Sequence, residues 1–118
     1  MTSTTELIYN IIQIVPKSKV IYYGQISEVL FTKHNIFLRA QVVGWMMSGM
    51  KRNKNFEDCY WHRVVAKTGA ISTLKLGLMG SAQINLLEKE GIILEDSLIN
   101  MDKFCLETSE LMELYVII

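Results

Sequence analysis

Between residues 4 and 15 the apolar side chains Leu7, Ile8, Ile11, Ile12 and Val15 fall at i, i+1, i+4, i+5 and i+8, a single stripe along a helix. Ser3, Thr4 and Thr5 are candidate N-caps for it. Pro16 ends this helix, because the residue before a proline is pushed out of the helical region, and residues 17–23 are expected as a turn or extended link. Ile26, Val29 and Leu30 predict a second, shorter helix over 25–31. After a loop at 32–36, Val42, Val43, Met46, Met47 and Met50 predict a third over 39–50. Two short helices joined by a loop behind a longer one predict a helix-turn-helix arrangement.

The periodicity then stops. Residues 51–60, KRNKNFEDCY, carry no apolar repeat and are expected as a surface loop. Residues 61–65 and 70–72 read as extended, with a turn at 67–69 where Gly69 supplies positive φ. Residues 73–80 set two glycines among leucines and are expected as a loop that packs against something. Ile84, Leu86 and Leu87 mark a helix over 81–90, with Ser81 as candidate cap and Gly91 as stop. Residues 92–94 are expected to be extended, and Ser109 is a candidate cap for a helix through Tyr115, although the ending LYVII is strand-like. The fold class these elements predict is mainly α with a small β element, built on a helix-turn-helix.

At 118 residues the chain fits one domain, 1–118, that buries roughly two thirds of its unfolded surface. It is half apolar with one proline, which argues against disorder, and no apolar stretch of about 18 residues could cross a bilayer. The N-terminus lacks a basic segment followed by an apolar one. A cytoplasmic place is therefore expected, nucleoid-associated in a prokaryote or nuclear in a eukaryote. Cys59 and Cys105 are too far apart for a metal or redox motif and are read as free thiols, with no metal and no cofactor.

The net charge of zero hides a polarity. Residues 1–76 hold ten Lys and Arg against four acids, +6, whereas residues 77–118 hold two against eight, −6. A basic front attracts phosphates and an acidic back orients the encounter; two solvated faces that merely differ would give the same count.

Four segments, VPKSKVIYYGQIS, VVGWMM, WHRVVAKTGAIS and LLEKEGI, occur in the order and approximate spacing of the DNA-binding domain of O6-alkylguanine-DNA alkyltransferases. Over about residues 6–95 the chain resembles that family, which implies a winged helix-turn-helix-like domain, mainly α with a small β element; residues 96–118 form an unmatched tail. Where the enzymes carry Pro-Cys-His-Arg-Val, this chain reads Tyr60-Trp61-His62-Arg63-Val64. The resemblance thus implies an alkyltransferase-like protein. Such a non-catalytic relative of methylated-DNA-protein cysteine methyltransferase binds O6-alkylguanine in duplex DNA by base flipping and flags it for nucleotide excision repair proteins. The chemistry agrees, since alkyl transfer needs an attacking thiolate and the lone pair of the Trp61 indole nitrogen belongs to its ring. What the indole offers is a flat apolar surface against an alkyl group or a flipped base. Apart from its motif, the same residue reads as a core tryptophan.

The resemblance also implies roles for other residues. Tyr23 takes the place of the family tyrosine that crowds the 3′ phosphate of the target, and Tyr22 is packing. Trp45, Arg63 and Ser72 join the lesion-binding set, with the loop 73–80 as the pocket roof. The arginine that fills the gap left by the flipped base is replaced by Gln41, with Arg39 able to serve if the helix starts differently. His62 and Glu90 match the groups that activate the cysteine. Here they have no proton to take and support the motif, and Arg63 is expected to bond backbone carbonyls or an acid. Asn53, or Asn55, stands at the hinge position, and Tyr60 in place of proline loosens the turn. Lys17, Lys19, Lys51, Arg52 and Lys54 are expected to meet phosphates, in a monomer whose acidic tail docks a repair partner. Two competitors remain: an alkyltransferase using Cys59, displaced by two residues, and a DNA-binding or interaction module without lesion specificity.

Overall fold

A computed structural model of the chain describes residues 3–71 and 78–116. Helix α1 (Thr4–Gln13) is capped by Ser3, whose hydroxyl accepts from the Glu6 N–H at 3.2 Å, and buries Ile8, Ile11 and Ile12. It stops two residues short of Val15. Helix α2 (Tyr23–His34) starts earlier than its apolar stripe, because Gln25 at the third helical position accepts from the Tyr22 N–H at 2.8 Å. It ends in a left-handed Asn35 (φ 55°), with the Ile36 N–H returning to the Leu30 carbonyl at 3.1 Å. After residues 35–39, helix α3 (Ala40–Met50) buries Val43, Met47 and Met50 against α1 and α2. The helix-turn-helix is thus α2, a five-residue link and α3, in a mainly helical protein with a small sheet. Among the described residues no helix is long and apolar enough to cross a membrane.

Strand β1 (Ile21–Tyr22) pairs in parallel with β2 (Val64–Val65), in the register Ile21 to Val64 and Tyr22 to Val65. Successive strand residues point to opposite faces, and the sheet divides two cores accordingly. Ile21 and Val64 join the larger core of α1, α2 and α3, while Val20 and Val65 join a smaller one with Ile71, Leu87, Ile92 and Ile99.

Residues 61–65 are not one strand. Trp61–Arg63 is a 3-10 turn, closed by bonds from Arg63 N–H to the Tyr60 carbonyl and from Val64 N–H to the Trp61 carbonyl. Alternation along a strand would send His62 and Arg63 to opposite sides, yet both are buried and both reach Glu90. Beyond β2 the turn at 66–70 forms as expected. Gly69 sits at φ 92°, where an added Cβ would collide with the Ile99 carbonyl. Its partner segment differs, since Ala70 bridges Leu98 of the tail.

Helix α4 (Leu78–Lys89) begins before Ser81, which is therefore a helix residue and not its cap. Gly91 (φ 89°) ends it, with the Ile92 N–H bonded to the Leu87 carbonyl at 3.0 Å. Residues 78–80, expected as the end of a loop, are the first residues of α4; the rest of that loop, 73–77, and Ser72 lie outside the described residues. The tail is part of the body. Short helices α5 (Met101–Phe104) and α6 (Thr108–Leu114, preceded by Glu107 and not Ser109 as cap) flank a parallel bridge between Val20 and Cys105. Leu106, Leu111 and Tyr115 enter the larger core. The Gln25 amide, itself buried, donates to the Leu106 carbonyl at 2.7 Å and the Thr108 hydroxyl at 3.2 Å.

Candidate nucleic-acid interface

Helix α3 shows one face to solvent. While Val43, Met47 and Met50 turn inward, Gln41 and Trp45 stand one helical turn apart on the outside, with Trp45 64% exposed. Arg39 is the exposed N-cap residue, not the first helical one, so Gln41 opens the outward face. Arg52 and Lys54 lie exposed just beyond the other end. Tyr23, first residue of α2, lays its ring against Gly44 of α3. A shallow depression there is lined by Tyr22, Tyr23, Ala40, Ala66 and Lys67 among others. Lys67 went unassigned in the sequence reading. Its place on the turn after the WHRVV motif was the available signal, and its ammonium lies 5.9 Å from the Tyr22 ring centroid.

Behind the C-terminal end of α3 a narrow apolar cleft is lined by Met47, Met50, Lys51, Phe56, Cys59 and Trp61. Its free space, about 10 Å³, suits roughly one water molecule. Trp61 is half-buried on its wall, packed against the larger core. Residues 51–60 are accordingly more than a surface loop. Asn53 caps a 3-10 turn (Lys54–Phe56), Phe56 tilts against Tyr9 at 5.3 Å, and Cys59 is only 7% exposed. Residues 58–60 are pinned to α1: the Tyr9 hydroxyl donates to the Asp58 carboxylate at 2.8 Å, and the Tyr60 N–H donates to Gln13 Oε1 at 2.8 Å. A proline has no such N–H, so Tyr60 fastens the turn that its substitution was expected to loosen. Its ring also carries the Arg63 guanidinium at 4.1 Å.

Burial and the neighbouring Asp58 charge push the Cys59 thiol up to about 11, against the opposing pull of the Trp61 backbone N–H and Lys51. At neutral pH the sulfur is a protonated thiol within the core, the reverse of what an attacking group needs.

The turn is held by Glu90. His62 Nε2 lies 2.9 Å from its carboxylate, and Arg63 donates to it through Nε (3.0 and 3.2 Å) and Nη2 (2.7 Å), with Nη1 donating to the Val15 carbonyl at 2.8 Å. Burial raises the Glu90 carboxyl, but the hydrogen bonds and charges of Arg63 and His62 outweigh it and hold it down at about 2. The cation also offsets a carboxylate placed just past the α4 C-terminus, where the helix dipole opposes it. Gln83 of α4, fully buried, donates to the carbonyls of His62 and Val64 at 3.1 Å. Neither it nor Gln25 was singled out from sequence, because a polar residue on a helix signals nothing about burial.

These placements revise the sequence assignments. Arg63 does not belong to the lesion-binding set, because its guanidinium is buried and spent on Glu90 and Val15. Lys19 turns toward the tail, donating to the Lys103 carbonyl at 3.5 Å. Asn53 spends its side-chain oxygen on the Asn55 N–H two residues on, at 2.9 Å, and does not brace the Trp61 turn through that bond. Lys51 bends inward, its ammonium 4.8 Å from the Trp61 ring centroid. Lys17 is exposed on the link before β1. Ser72 lies outside the described residues. Among those residues no cluster of His, Cys, Asp or Glu could hold a metal ion.

Residues 3–92 match the family described as 6-O-methylguanine DNA methyltransferase, DNA binding domain. Among solved structures the fold is similar to that of S. pombe Atl1, crystallised in complex with damaged DNA containing O6-carboxymethylguanine. The TM-score is 0.72 at 23% identity, over 91% of this chain and 99% of that chain. A comparison with curated protein sequences finds no match.

Proposed function

Because the chain belongs to the family of the 6-O-methylguanine DNA methyltransferase DNA-binding domain, we propose that it binds O6-alkylguanine in duplex DNA, extrudes the base and keeps the alkyl group in place. The observation that carries this reading is the half-buried indole of Trp61 on the wall of the cleft behind α3, where its sequence motif would put the acceptor sulfur. A flat face that can stack on a bound base, with no nucleophile attached, retains a lesion without reacting with it. The fold shared with Atl1, a protein seen on alkylated DNA, supports the same reading.

Exposed Gln41 and Trp45 would enter the groove and fill the gap left by the extruded base, Tyr23 would press on the adjacent phosphate, and Arg39, Arg52, Lys54 and Lys67 would hold the backbone. The closed cleft must widen to admit a guanine. A long-lived complex of this kind would mark the lesion for excision proteins. Trp61→Ala is expected to weaken binding of an O6-methylguanine duplex by roughly 10- to 100-fold, the worth of one lost base stack, while leaving the unmodified duplex unaffected. A loss of equal size on both duplexes in a fluorescence-anisotropy titration would refute the role of the ring.

The competing enzyme reading has its own test. Transfer to Cys59 would add one methylene, about 14 Da, to the protein after incubation with the lesion duplex. The protonated, buried thiol predicts an unchanged intact mass, and the added mass would overturn the binding-only account.

A further inference from the structure

Among the described residues Lys51 is the one charged group lining the cleft beside Trp61, with Met47, Met50, Phe56, Cys59 and the indole itself. Its ammonium sits 4.8 Å from the centre of the indole. Among the described residues no carboxylate lies within ion-pair distance of it; both ion pairs there end on Glu90. Burial lowers its pKa, with the neighbouring Cys59 pulling the other way, so the charge is held at a cost that no carboxylate offsets among the described residues. The flanking Arg52 and Lys54, by contrast, remain in solvent. A cation folded onto the pocket wall, with a π face as its partner among the described residues, lacks the counter-charge that normally accompanies a desolvated ammonium.

We propose that Lys51 reads the adduct itself, making the cleft selective for O6-alkyl groups that end in an anion, a carboxyalkyl group above all. The inference rests on the lesion-binding reading of the Trp61 cleft. A short adduct on a guanine stacked against the indole would bring its carboxylate into the layer where the ammonium now lies. A charge-assisted bond there would replace the cation–π contact. A neutral adduct must instead displace the ammonium or leave it unpaired, and gains less. Lys51 is a specificity-determining residue in this account and not one of the phosphate contacts.

The test uses the full chain and three duplexes that differ only at one base: guanine, O6-carboxymethylguanine, and its neutral isostere O6-carbamoylmethylguanine. The wild type should bind the carboxymethyl duplex about tenfold more tightly than the carbamoylmethyl one at equal salt. Lys51→Met, which keeps a stem over the indole, should bring that ratio to about one while preserving the preference of both lesions over guanine, and Lys51→Arg should restore it. Equal binding of the two lesions by the wild type, both above guanine, removes this inference alone. A Lys51→Met loss of the same size on all three duplexes makes Lys51 a phosphate contact and also overturns it. Equal binding of all three by the wild type removes the lesion-binding reading and this inference with it.

Discussion

A chain ended at residue 92, where the family match stops, is expected not to fold. The larger core would lose Leu106, Leu111 and Tyr115, and the smaller core Ile99. The edge residue Val20 would lose both of its backbone bonds, to Phe104 and Leu106, and the buried Gln25 amide its two acceptors. Truncating one buried leucine to alanine costs about 2–5 kcal/mol, whereas a domain of this size has a total stability of about 5–15 kcal/mol. Four such side chains exhaust that margin. Thermal unfolding followed by circular dichroism should show a cooperative transition for the full chain and none for the truncated one. A truncated chain melting within a few degrees of the full one would mean that the tail is an appendage.

Glu90→Gln should have the largest effect of any single change near the site. It removes the only carboxylate that pairs with the buried Arg63 and His62 among the described residues, yet keeps size and part of the hydrogen bonding. A buried cation left without its partner typically costs about 3–5 kcal/mol; the partial exposure of Glu90 argues for about 2–3 kcal/mol, or roughly 10 °C in Tm. Its pH dependence has a definite sign. The carboxyl is held at about 2 in the folded protein against an ordinary 4.5, so it stabilises fully above the ordinary value and loses that contribution as pH falls toward 2. The wild type should therefore destabilise on acidification through this window more steeply than Glu90→Gln. Parallel pH profiles of the two would place the Glu90 interaction outside the folding equilibrium.

The sequence made the helical frame legible because α1 and α3 each bury one stripe of three apolar side chains, a signal that needs no knowledge of partners. Two-residue strands carry no period, so the parallel pairing of Ile21–Tyr22 with Val64–Val65 could not be read locally. The turn at Trp61–Arg63 looked extended for a related reason. Its conformation is set by Glu90, almost thirty residues away, which draws two consecutive side chains to one side. The tail matched no motif; a helix ending at Tyr115 was expected and forms at Thr108–Leu114, but Leu106, Leu111 and Tyr115 are spaced too widely among acids to show locally that they enter the core. In the site, Trp61 and the outward face of α3 followed from the motif. The bonds of Arg63 to an acid and a backbone carbonyl were also expected, but the inward place of Lys51 was not, because charge counts treat every cation as solvent-facing, while this one lies on an indole.

The claim that the cleft behind α3 retains an alkylated base is tested most directly by titrating the wild-type protein with matched duplexes, with and without one O6-methylguanine, across a range of salt concentrations. Phosphate contacts fix the slope of affinity against salt, and the pocket fixes the offset between the two lines. Two parallel lines, with the lesion duplex bound at least about tenfold more tightly throughout, are the predicted result. Coincident lines would contradict it and leave a protein that binds DNA without reading damage.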